Sequence, residues 1–287
     1  MWPEHENFLN SRFYSKDDPT LEMVEELSAL ILKIADKNLS AYLEGYQWTC
    51  NALMEEELFF RRNNRYRNDS FLAADLAIYS NSNLMEKYLK GLLVSQVLWK
   101  NQSEAFLFYK KYFLGALKKG SDLLEIGPGH GLLMYIAAQS PGIKSITGWD
   151  VSESSLKMTE KTLKSVGLDF PFSLRLQNIL EGVPEEDYFD AVVMSEVLEH
   201  LEDPINAIRV VHNILRADGL AYFNMPINSP APDHIYLCRS QIEVEDLIRG
   251  AGFKIKMVHS SPATGFTLES AIKRKATINV LVLASKI

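Results

Sequence analysis

The sequence predicts an α/β fold in which a mostly parallel sheet follows an all-helical N-terminal region. Residues 1–118 carry apolar side chains at helical spacing, for example Leu21, Val24 and Leu27, and contain few runs of β-branched residues. From Leu123 onward, short β-rich runs alternate with amphipathic stretches, which is typical of parallel strands joined by helices. The chain therefore divides near residue 118 into a helical part and an α/β part.

The strands and helices can be assigned in order along the chain. Before the sheet, helices are expected over 21–34, with Thr20 as a candidate N-cap, and over 40–62, 70–80, 83–99 and 102–117. Strands are expected at LLEI, SITGWD, FSLRLQN, FDAVVMSEV, LAYFNMP, FKIKMVHS and TINVLVLASKI, with helices over 152–166 and 203–216. Asp203 before Pro204, and Ser240 with Glu243, mark two helix starts. The segment between the last two strands shows no full helical period.

The composition excludes several classes of protein. A net charge of −7 argues against a nucleic-acid-binding or anionic-membrane-binding protein, because such a protein needs a basic surface. The apolar fraction of 47% is that of an ordinary globular chain, and no run of eighteen apolar residues would span a membrane. Cys50 and Cys238 form no CxxC pair, and the N-terminus shows no secretion signal. These features predict a cytoplasmic protein without nucleic-acid partners or membrane insertion.

A glycine-rich turn in LLEIGPGHG, residues 123–131, is the first candidate site. Gly127, Gly129 and Gly131 follow a buried strand and precede a helix, so unpaired backbone N–H groups gather where few side chains intervene. A tight turn without a ligand is the alternative. A dinucleotide fold requires GxGxxG, but the position of its third glycine is occupied by Leu132.

With its acidic residue, apolar residue and GxGxG, this stretch resembles the first motif of the class I S-adenosylmethionine-dependent methyltransferases. FDAVVMSEVLEHLEDP (189–204) and RADGLAYFNMP (216–226) are similar to later motifs, the first especially to those of the quinone-biosynthesis and natural-product branch. The resemblance covers residues 122–287 and implies a Rossmann-like seven-stranded sheet, mostly parallel, with its last strand antiparallel. It also implies a methyltransferase domain over 119–287, with S-adenosyl-L-methionine as cofactor and S-adenosyl-L-homocysteine as product.

The resemblance assigns cofactor contacts residue by residue. Glu125 is expected to bind the methionine ammonium, and Asp150 to accept hydrogen bonds from the ribose hydroxyls. The N-cap of the 152–166 helix is the alternative role for Asp150. Asn178 stands where the family usually has an acidic residue, and its carbonyl oxygen can accept from the adenine amino group. The remaining expected contacts are Gly127, Gly129, Gly131, Val151, Ile179 and Ser195.

Two histidines are candidate catalytic residues, because methylation of a hydroxyl or an acidic carbon needs a base whose pKa is near neutral. His200 follows the fourth strand at the carboxyl edge of the sheet, and His234 lies in the loop INSPAPDHIYLCRS after the fifth strand. For both, a structural hydrogen bond within a turn is the alternative. Glu196, Asp233 and Tyr236 are expected to contact the substrate, and no metal site is predicted.

Residues 1–118 are expected to form a lid over the substrate or a homodimer interface, as the resemblance implies for such additions. Their basic cluster RRNNRYR, residues 61–67, has two interpretations. It can bind a carboxylate or phosphate of the substrate, or it can pair with Glu55, Glu56 and Glu57 upstream at helical spacing. The pairing is favoured.

Together these features predict a methyltransferase that acts on a small-molecule acceptor in biosynthesis, with O- or C-methylation favoured over N-methylation. The alternatives are a non-catalytic cofactor- or partner-binding protein of the same fold and a methyltransferase for protein substrates. A closed polar pocket beside the cofactor would distinguish the enzyme from the non-catalytic protein.

Overall fold

The computed structural model describes residues 2–74, 76, 78, 81–183 and 188–287. Its α-helices are α1 (Glu6–Arg12), α2 (Leu21–Ala35), α3 (Leu39–Asn63), α4 (Phe71–Ala74), α5 (Ser82–Leu98), α6 (Lys100–Phe108), α7 (Leu132–Ala138), α8 (Glu153–Ser165), α9 (Pro204–Ile214), α10 (Gln241–Gly250) and α11 (Leu268–Arg274). Its strands are β1 (Ser121–Ile126), β2 (Ile143–Asp150), β3 (Phe172–Leu176), β4 (Phe189–Ser195), β5 (Leu215–Ile227), β6 (Phe253–Pro262) and β7 (Ile278–Lys286). None of the described helices is long and apolar enough to cross a membrane.

The seven strands form one sheet in the order β3-β2-β1-β4-β5-β7-β6. Strands β1 to β5 pair in parallel, and β7 lies antiparallel between β5 and β6. This confirms the predicted Rossmann-like sheet with an antiparallel last strand. Because β1 pairs with β2 on one side and β4 on the other, the connections after β1 and β4 leave in opposite directions. Open α/β sheets bind ligands in the crevice at this point.

Alternate residues of the central strands face opposite sides of the sheet, so the molecule has two cores. Leu123 of β1 and Val193 of β4 pack with the N-terminal helices, α7 and α8. Leu124 and Val192 pack on the other face with α9 and α10. The helices before β1 therefore form one covering layer of the sheet. The division of the chain into two domains at residue 118 stays a prediction.

The helix starts agree only in part with the caps expected from the sequence. Asp203 accepts a hydrogen bond from the Asn206 N–H at the start of α9, as predicted. Ser240 accepts from the Glu243 N–H, but the Glu243 carboxylate bonds a different backbone N–H, so only half of the capping box forms. Thr20 does not cap α2, because its hydroxyl is bonded to side chains that precede the helix.

Two helical segments also differ from expectation. The connection between β6 and β7, whose sequence shows no full helical period, contains the helix α11. Its seven residues are too few to give a clear apolar period, and Thr267 caps it. The 102–117 pattern is α-helical only to Phe108 and continues as a π-helix, Tyr109–Phe113. Residues 75, 77, 79 and 80 of the predicted 70–80 helix lie outside the described residues.

Candidate cofactor and acceptor site

The turn between β1 and α7 has a backbone that favours glycine. The φ angles of Gly127, Gly129 and Gly131 are +70°, +53° and +76°. A Cβ added at Gly127 would lie 2.7 Å from Val197 Cγ2, well inside van der Waals contact. At Gly131 a Cβ would lie 3.2 Å from Thr159 Cγ2, so the absence of a side chain there lets the turn pack closely against α8. The turn thus leaves the main chain accessible from the crevice at Gly127 and Gly129.

Glu125, next to the end of β1, is a buried carboxylate beside this turn. Its side chain is 2% exposed, and its Oε2 atom has no hydrogen-bond partner among the described residues. Burial, and secondarily the charge of Asp150, raises the pKa of Glu125 well above its usual range. A buried acceptor without a donor is costly, so this oxygen fits a cationic ligand group such as the ammonium of S-adenosylmethionine.

Asp150 and Asn178 lie at the carboxyl ends of the two neighbouring strands. Asp150 accepts hydrogen bonds from the Ser152 N–H at 2.8 Å and from the Ser155 hydroxyl at 2.5 Å. Ser152 itself caps α8, so Asp150 is not the N-cap. A carboxylate has about four acceptor sites, which leaves room for ribose hydroxyls. Asn178 accepts from the Leu180 N–H at 3.0 Å and caps a short helical turn after β3.

A cavity of about 330 Å³ lies at this edge of the sheet. Among the predicted cofactor contacts it is lined by Gly127, Gly129, Asp150, Val151, Asn178 and Ile179, while Glu125 and Ser195 line an adjoining cavity of about 140 Å³. The Glu125 carboxylate thus lines one of these two cavities and the Asn178 amide lines the other. These residues fit a nucleoside with a cationic amino-acid tail.

A third cavity, of about 310 Å³, lies under the N-terminal helices. Its walls include the apolar side chains of Leu53, Met54 and Trp99 and polar residues such as Gln102 and Asn279. Three residues line all three cavities, namely Tyr88, Leu92 and Glu196. The third cavity therefore meets the other two at these side chains, and we call it the acceptor cavity.

Glu196, directly after β4, occupies the junction in a strained backbone conformation, with φ of +56°. Its carboxylate accepts a hydrogen bond of 2.7 Å from Asn279 Nδ2. Burial raises the pKa of Glu196 to about 7, although hydrogen bonds from Asn224, Gln102 and Asn279 act in the opposite direction. The structure thus places this predicted substrate contact between the cofactor cavities and the acceptor cavity.

The two candidate catalytic histidines come together, with ring centroids 4.8 Å apart and planes nearly perpendicular. His200 Nδ1 lies 3.0 Å from the Asp233 carbonyl oxygen, and His234 Nδ1 lies 2.6 Å from the Ser229 carbonyl oxygen. Burial lowers the pKa of His234 to about 4, and the neighbouring His200 acts in the same direction. His234 is therefore a neutral imidazole near pH 7 and a weak base.

The remaining predicted substrate contacts are separated. Asp233 accepts a hydrogen bond of 3.0 Å from the Tyr88 hydroxyl and lines both cofactor cavities. Tyr236 lines none of the three cavities, and its backbone N–H donates instead to the Glu199 carbonyl oxygen. The structure therefore brings Asp233, but not the Tyr236 side chain, to the site.

The basic cluster at residues 61–67 pairs within the helical region. Arg61 contacts Glu57 at 2.5 Å, and Arg67 contacts Glu56 at 2.8 Å, so the pairing favoured from the sequence is observed for these two residues. The segment also holds the loop after β5, because the Tyr66 hydroxyl accepts from the Ser229 N–H at 2.9 Å. The cluster contributes to covering the site through these contacts.

Several residues of the site were missed by sequence reasoning. Tyr88 and Gln102 lie in helices, where an aromatic residue such as Tyr88 can line a pocket but is more often part of the core, and Asn279 lies in the last strand. Glu199 is not among the site residues predicted from the sequence, although its neighbour His200 is. The signal that points to Glu199 is the spacing of Glu196, Glu199 and His200 after a strand, which gathers three ligand-type side chains at one sheet edge.

Comparison with known sequences identifies a domain. Residues 124–221 match a family model described as a methyltransferase domain. The ubiquinone biosynthesis O-methyltransferase of Pseudomonas entomophila (strain L48) is 24% identical over 162 residues, which cover 56% of this chain and 68% of that protein. The protein of the same name from Neisseria meningitidis serogroup C (strain 053442) is 29% identical over 122 residues, which cover 42% of this chain and 49% of that protein.

Comparison with solved structures supports the fold. The cyclase SpnF is 18% identical with a TM-score of 0.52, covering 64% of this chain and 79% of that one. Phosphoethanolamine N-methyltransferase 2 of Haemonchus contortus, solved with S-adenosyl-L-methionine, is 16% identical with a TM-score of 0.50. The match covers 64% of this chain and 52% of that one. One of these proteins is a cyclase, so the shared fold alone does not specify the reaction.

The matched domain spans the glycine turn, Asp150, Asn178 and the strand that ends before Glu196. Its sheet order, its glycine backbone and the buried acceptor of Glu125 agree with the cofactor of that family. These findings together support a class I S-adenosylmethionine-dependent methyltransferase.

Proposed function

We propose that this methyltransferase acts on an oxygen, or an activated carbon, of a small molecule bound in the acceptor cavity. The observation that carries this proposal is the junction at Glu196, where a cavity of about 310 Å³ meets the two cofactor cavities. S-adenosylmethionine, when bound, supplies an activated methyl group on sulfur. The protein has to align an acceptor with it and exclude water.

The proposed cofactor contacts are those of the two cofactor cavities. Glu125 would bind the ammonium, Gly127 and Gly129 would allow close approach of the main chain, and Asp150 would accept from the ribose hydroxyls. Asn178 can still accept from an adenine amine through the second lone pair of its carbonyl oxygen. Ser195, Val151 and Ile179 would contribute packing and backbone contacts.

The acceptor cavity suits a molecule with an apolar body and one polar end. Leu53, Met54 and Trp99 supply apolar walls, whereas Glu196 and Asn279 supply hydrogen-bonding groups near the cofactor cavities. A phenolic or hydroquinone-like acceptor has this distribution. The similarity to proteins named ubiquinone biosynthesis O-methyltransferase supports an oxygen acceptor.

The N-terminal helices would act as the lid over this acceptor. Asn68 Nδ2 donates to the Pro232 carbonyl oxygen at 2.7 Å, and Arg239 donates to the Asn64 carbonyl oxygen at 2.9 Å, so the helical region and the loop after β5 hold each other. Closure of this kind excludes water from the acceptor position. A homodimer through the same helices remains a prediction, to be tested by sedimentation.

The experiment is transfer of labelled methyl groups to a panel of catechols, phenols and hydroquinones, compared with total cell protein and RNA. Leu53→Trp, which fills the acceptor cavity, should abolish transfer while leaving the affinity for S-adenosylmethionine unchanged. Leu43→Trp is the control, because Leu43 lies on the same helix α3 with 49% of its surface exposed. Transfer to protein rather than to small molecules, insensitive to Leu53→Trp, would overturn the proposal.

A further inference from the structure

We propose that Glu199, His200 and His234 bind a divalent transition-metal ion at the edge of the acceptor cavity. No metal site is predicted from the sequence. In the structure one ligand atom from each of these side chains lies within 4.8 Å of the other two. The three residues come from the turn after β4 and the loop after β5, which the fold brings together at the carboxyl edge of the sheet.

The backbone fixes which imidazole nitrogens face the cluster. A carbonyl oxygen only accepts hydrogen bonds, so His200 Nδ1 must donate to Asp233 and His234 Nδ1 must donate to Ser229. In the neutral rings the lone pairs are therefore on Nε2. These Nε2 atoms lie 3.8 Å and 3.9 Å from the same oxygen, Glu199 Oε1. Hydrogen bonds from the second nitrogen to carbonyls are the usual support of metal-binding histidines.

Glu199 supplies the second, independent observation. Its side chain is fully buried, and neither carboxylate oxygen has a hydrogen-bond partner among the described residues. The carboxylates of Glu196 and Asp233 also interact electrostatically with Glu199. A buried carboxylate without hydrogen bonds among the described residues, flanked by two imidazole nitrogens and other acids, needs a positive partner. A cation between the three ligand atoms supplies one.

The ligand atoms would have to draw together around a transition metal. An ion bound about 2.0–2.2 Å from each ligand holds the ligand atoms roughly 3.0–3.5 Å apart. The separations to Glu199 Oε1 are 3.8 Å and 3.9 Å, and all three ligand atoms lie within 4.8 Å of one another. Two imidazoles and one carboxylate favour Zn²⁺, Mn²⁺, Fe²⁺ or Co²⁺ over Mg²⁺ and Ca²⁺, which prefer oxygen ligands. Three protein ligands also leave coordination positions open.

The open positions would face the acceptor. His234 lines the acceptor cavity and the smaller cofactor cavity, and His200 lines both cofactor cavities. This role of the ion rests on the proposed function. The ion would hold the acceptor oxygen beside the cofactor and lower the pKa of the acceptor hydroxyl, whose proton would pass to solvent.

The test is metal binding by the full chain, independent of turnover. Protein dialysed against a chelator is titrated with Zn²⁺ by calorimetry and with Mn²⁺ by electron paramagnetic resonance. One ion per chain is expected. Glu199→Gln and His234→Gln should each weaken binding by more than the roughly 10–100-fold that loss of a supporting partner costs. His259→Ala is the control, because His259 with Glu104 forms an exposed pair 3.5 Å apart that could bind ions adventitiously.

The outcomes separate this site from the proposed function. Affinity for S-adenosylmethionine, measured in parallel, reports whether each variant is folded. A chelated protein that still transfers methyl groups and binds no ion would overturn the metal site and leave the function intact. Binding that is unchanged in Glu199→Gln and His234→Gln but lost in His259→Ala would also overturn it. Stoichiometric binding at Glu199 without transfer to any small molecule would retain the site and reject the function.

Discussion

The Tyr88 hydroxyl donates a hydrogen bond of 3.0 Å to Asp233 Oδ1, and this bond joins α5 of the N-terminal layer to the loop after β5. The carbonyl of the same aspartate accepts from His200, so one residue connects the helical layer to the histidine cluster. Tyr88 also lines all three cavities. Closure over the acceptor and the geometry of the junction therefore depend on the same contact.

Tyr88→Phe should weaken acceptor binding more than cofactor binding. The substitution keeps the ring but removes a buried hydrogen bond to a carboxylate, which costs about 1.5–3 kcal/mol of the free energy of unfolding. Denaturant unfolding and the KM values for acceptor and cofactor are the measurements. Tyr14→Phe, at a side chain that is 88% exposed, is the control. An unchanged acceptor KM would show that the loop is held without this bond.

Gly127→Ala should destabilise the protein and abolish cofactor binding. The methyl group would meet Val197 Cγ2 at 2.7 Å and would fill the approach to the main chain. Gly265→Ala is a matched control, because its φ of +85° carries a similar backbone cost of about 1–2 kcal/mol, with no atom near the new Cβ. The difference between the two variants in thermal unfolding and in calorimetric binding isolates the clash. Equal effects would mean that backbone strain alone matters.

Asp150→Asn tests the ribose contact. The amide retains one carbonyl acceptor for the turn but loses the charge, so the affinity for S-adenosylmethionine should fall roughly 10- to 150-fold, equivalent to about 1.5–3 kcal/mol. Asp246→Asn, with a side chain 70% exposed, should change nothing. Calorimetric titration with the cofactor and with S-adenosyl-L-homocysteine measures both. A full-affinity Asp150→Asn protein would restrict this aspartate to shaping the turn.

The sequence predicted the parts of the site that lie at strand ends and missed those that depend on packing between layers. Gly127 and Asp150 are recognisable because a strand, a turn and a helix start follow each other locally. Tyr88 reaches the site only because α5 covers the sheet, and helical spacing carries no information about which residue meets a loop 145 positions later. Glu199 stands beside apolar Leu198, and its burial follows from the crossing of two segments distant in the chain.

The assignments to His200 and His234 illustrate the same limit. Their position at the carboxyl edge of the sheet was predictable, and the structure does bring them together. Their protonation was not, because it depends on which carbonyl each Nδ1 meets and on how deeply each ring is buried. A sequence motif specifies that imidazoles are present, whereas their surroundings determine whether they act as bases or as ligands.

Glu125→Gln should stabilise the cofactor-free protein while weakening cofactor binding. Burial raises the pKa of Glu125 above its ordinary value of about 4.5. At pH values between the ordinary and the raised pKa, the folded chain therefore holds a proton that the unfolded chain has lost. The contribution of Glu125 to stability therefore falls as pH rises from about 4.5 through the raised pKa. Glutamine does not ionise, so the variant should lose this part of the fall in the free energy of unfolding with pH. Unfolding in denaturant from pH 4.5 to 9 would measure the difference.

Cofactor binding should respond to pH in the opposite direction. An ammonium group binds the ionised carboxylate, so affinity should rise as pH increases through the raised pKa of Glu125 in the cofactor-free protein, with a proton released on binding. Calorimetry in buffers of different ionisation enthalpy counts that proton. In Glu125→Gln the affinity should be lower, and the share of the pH dependence and of the proton release that Glu125 contributes should be lost. A Gln variant that keeps the wild-type slope and proton count would place the ammonium elsewhere, because only the ionisation of Glu125 has been removed.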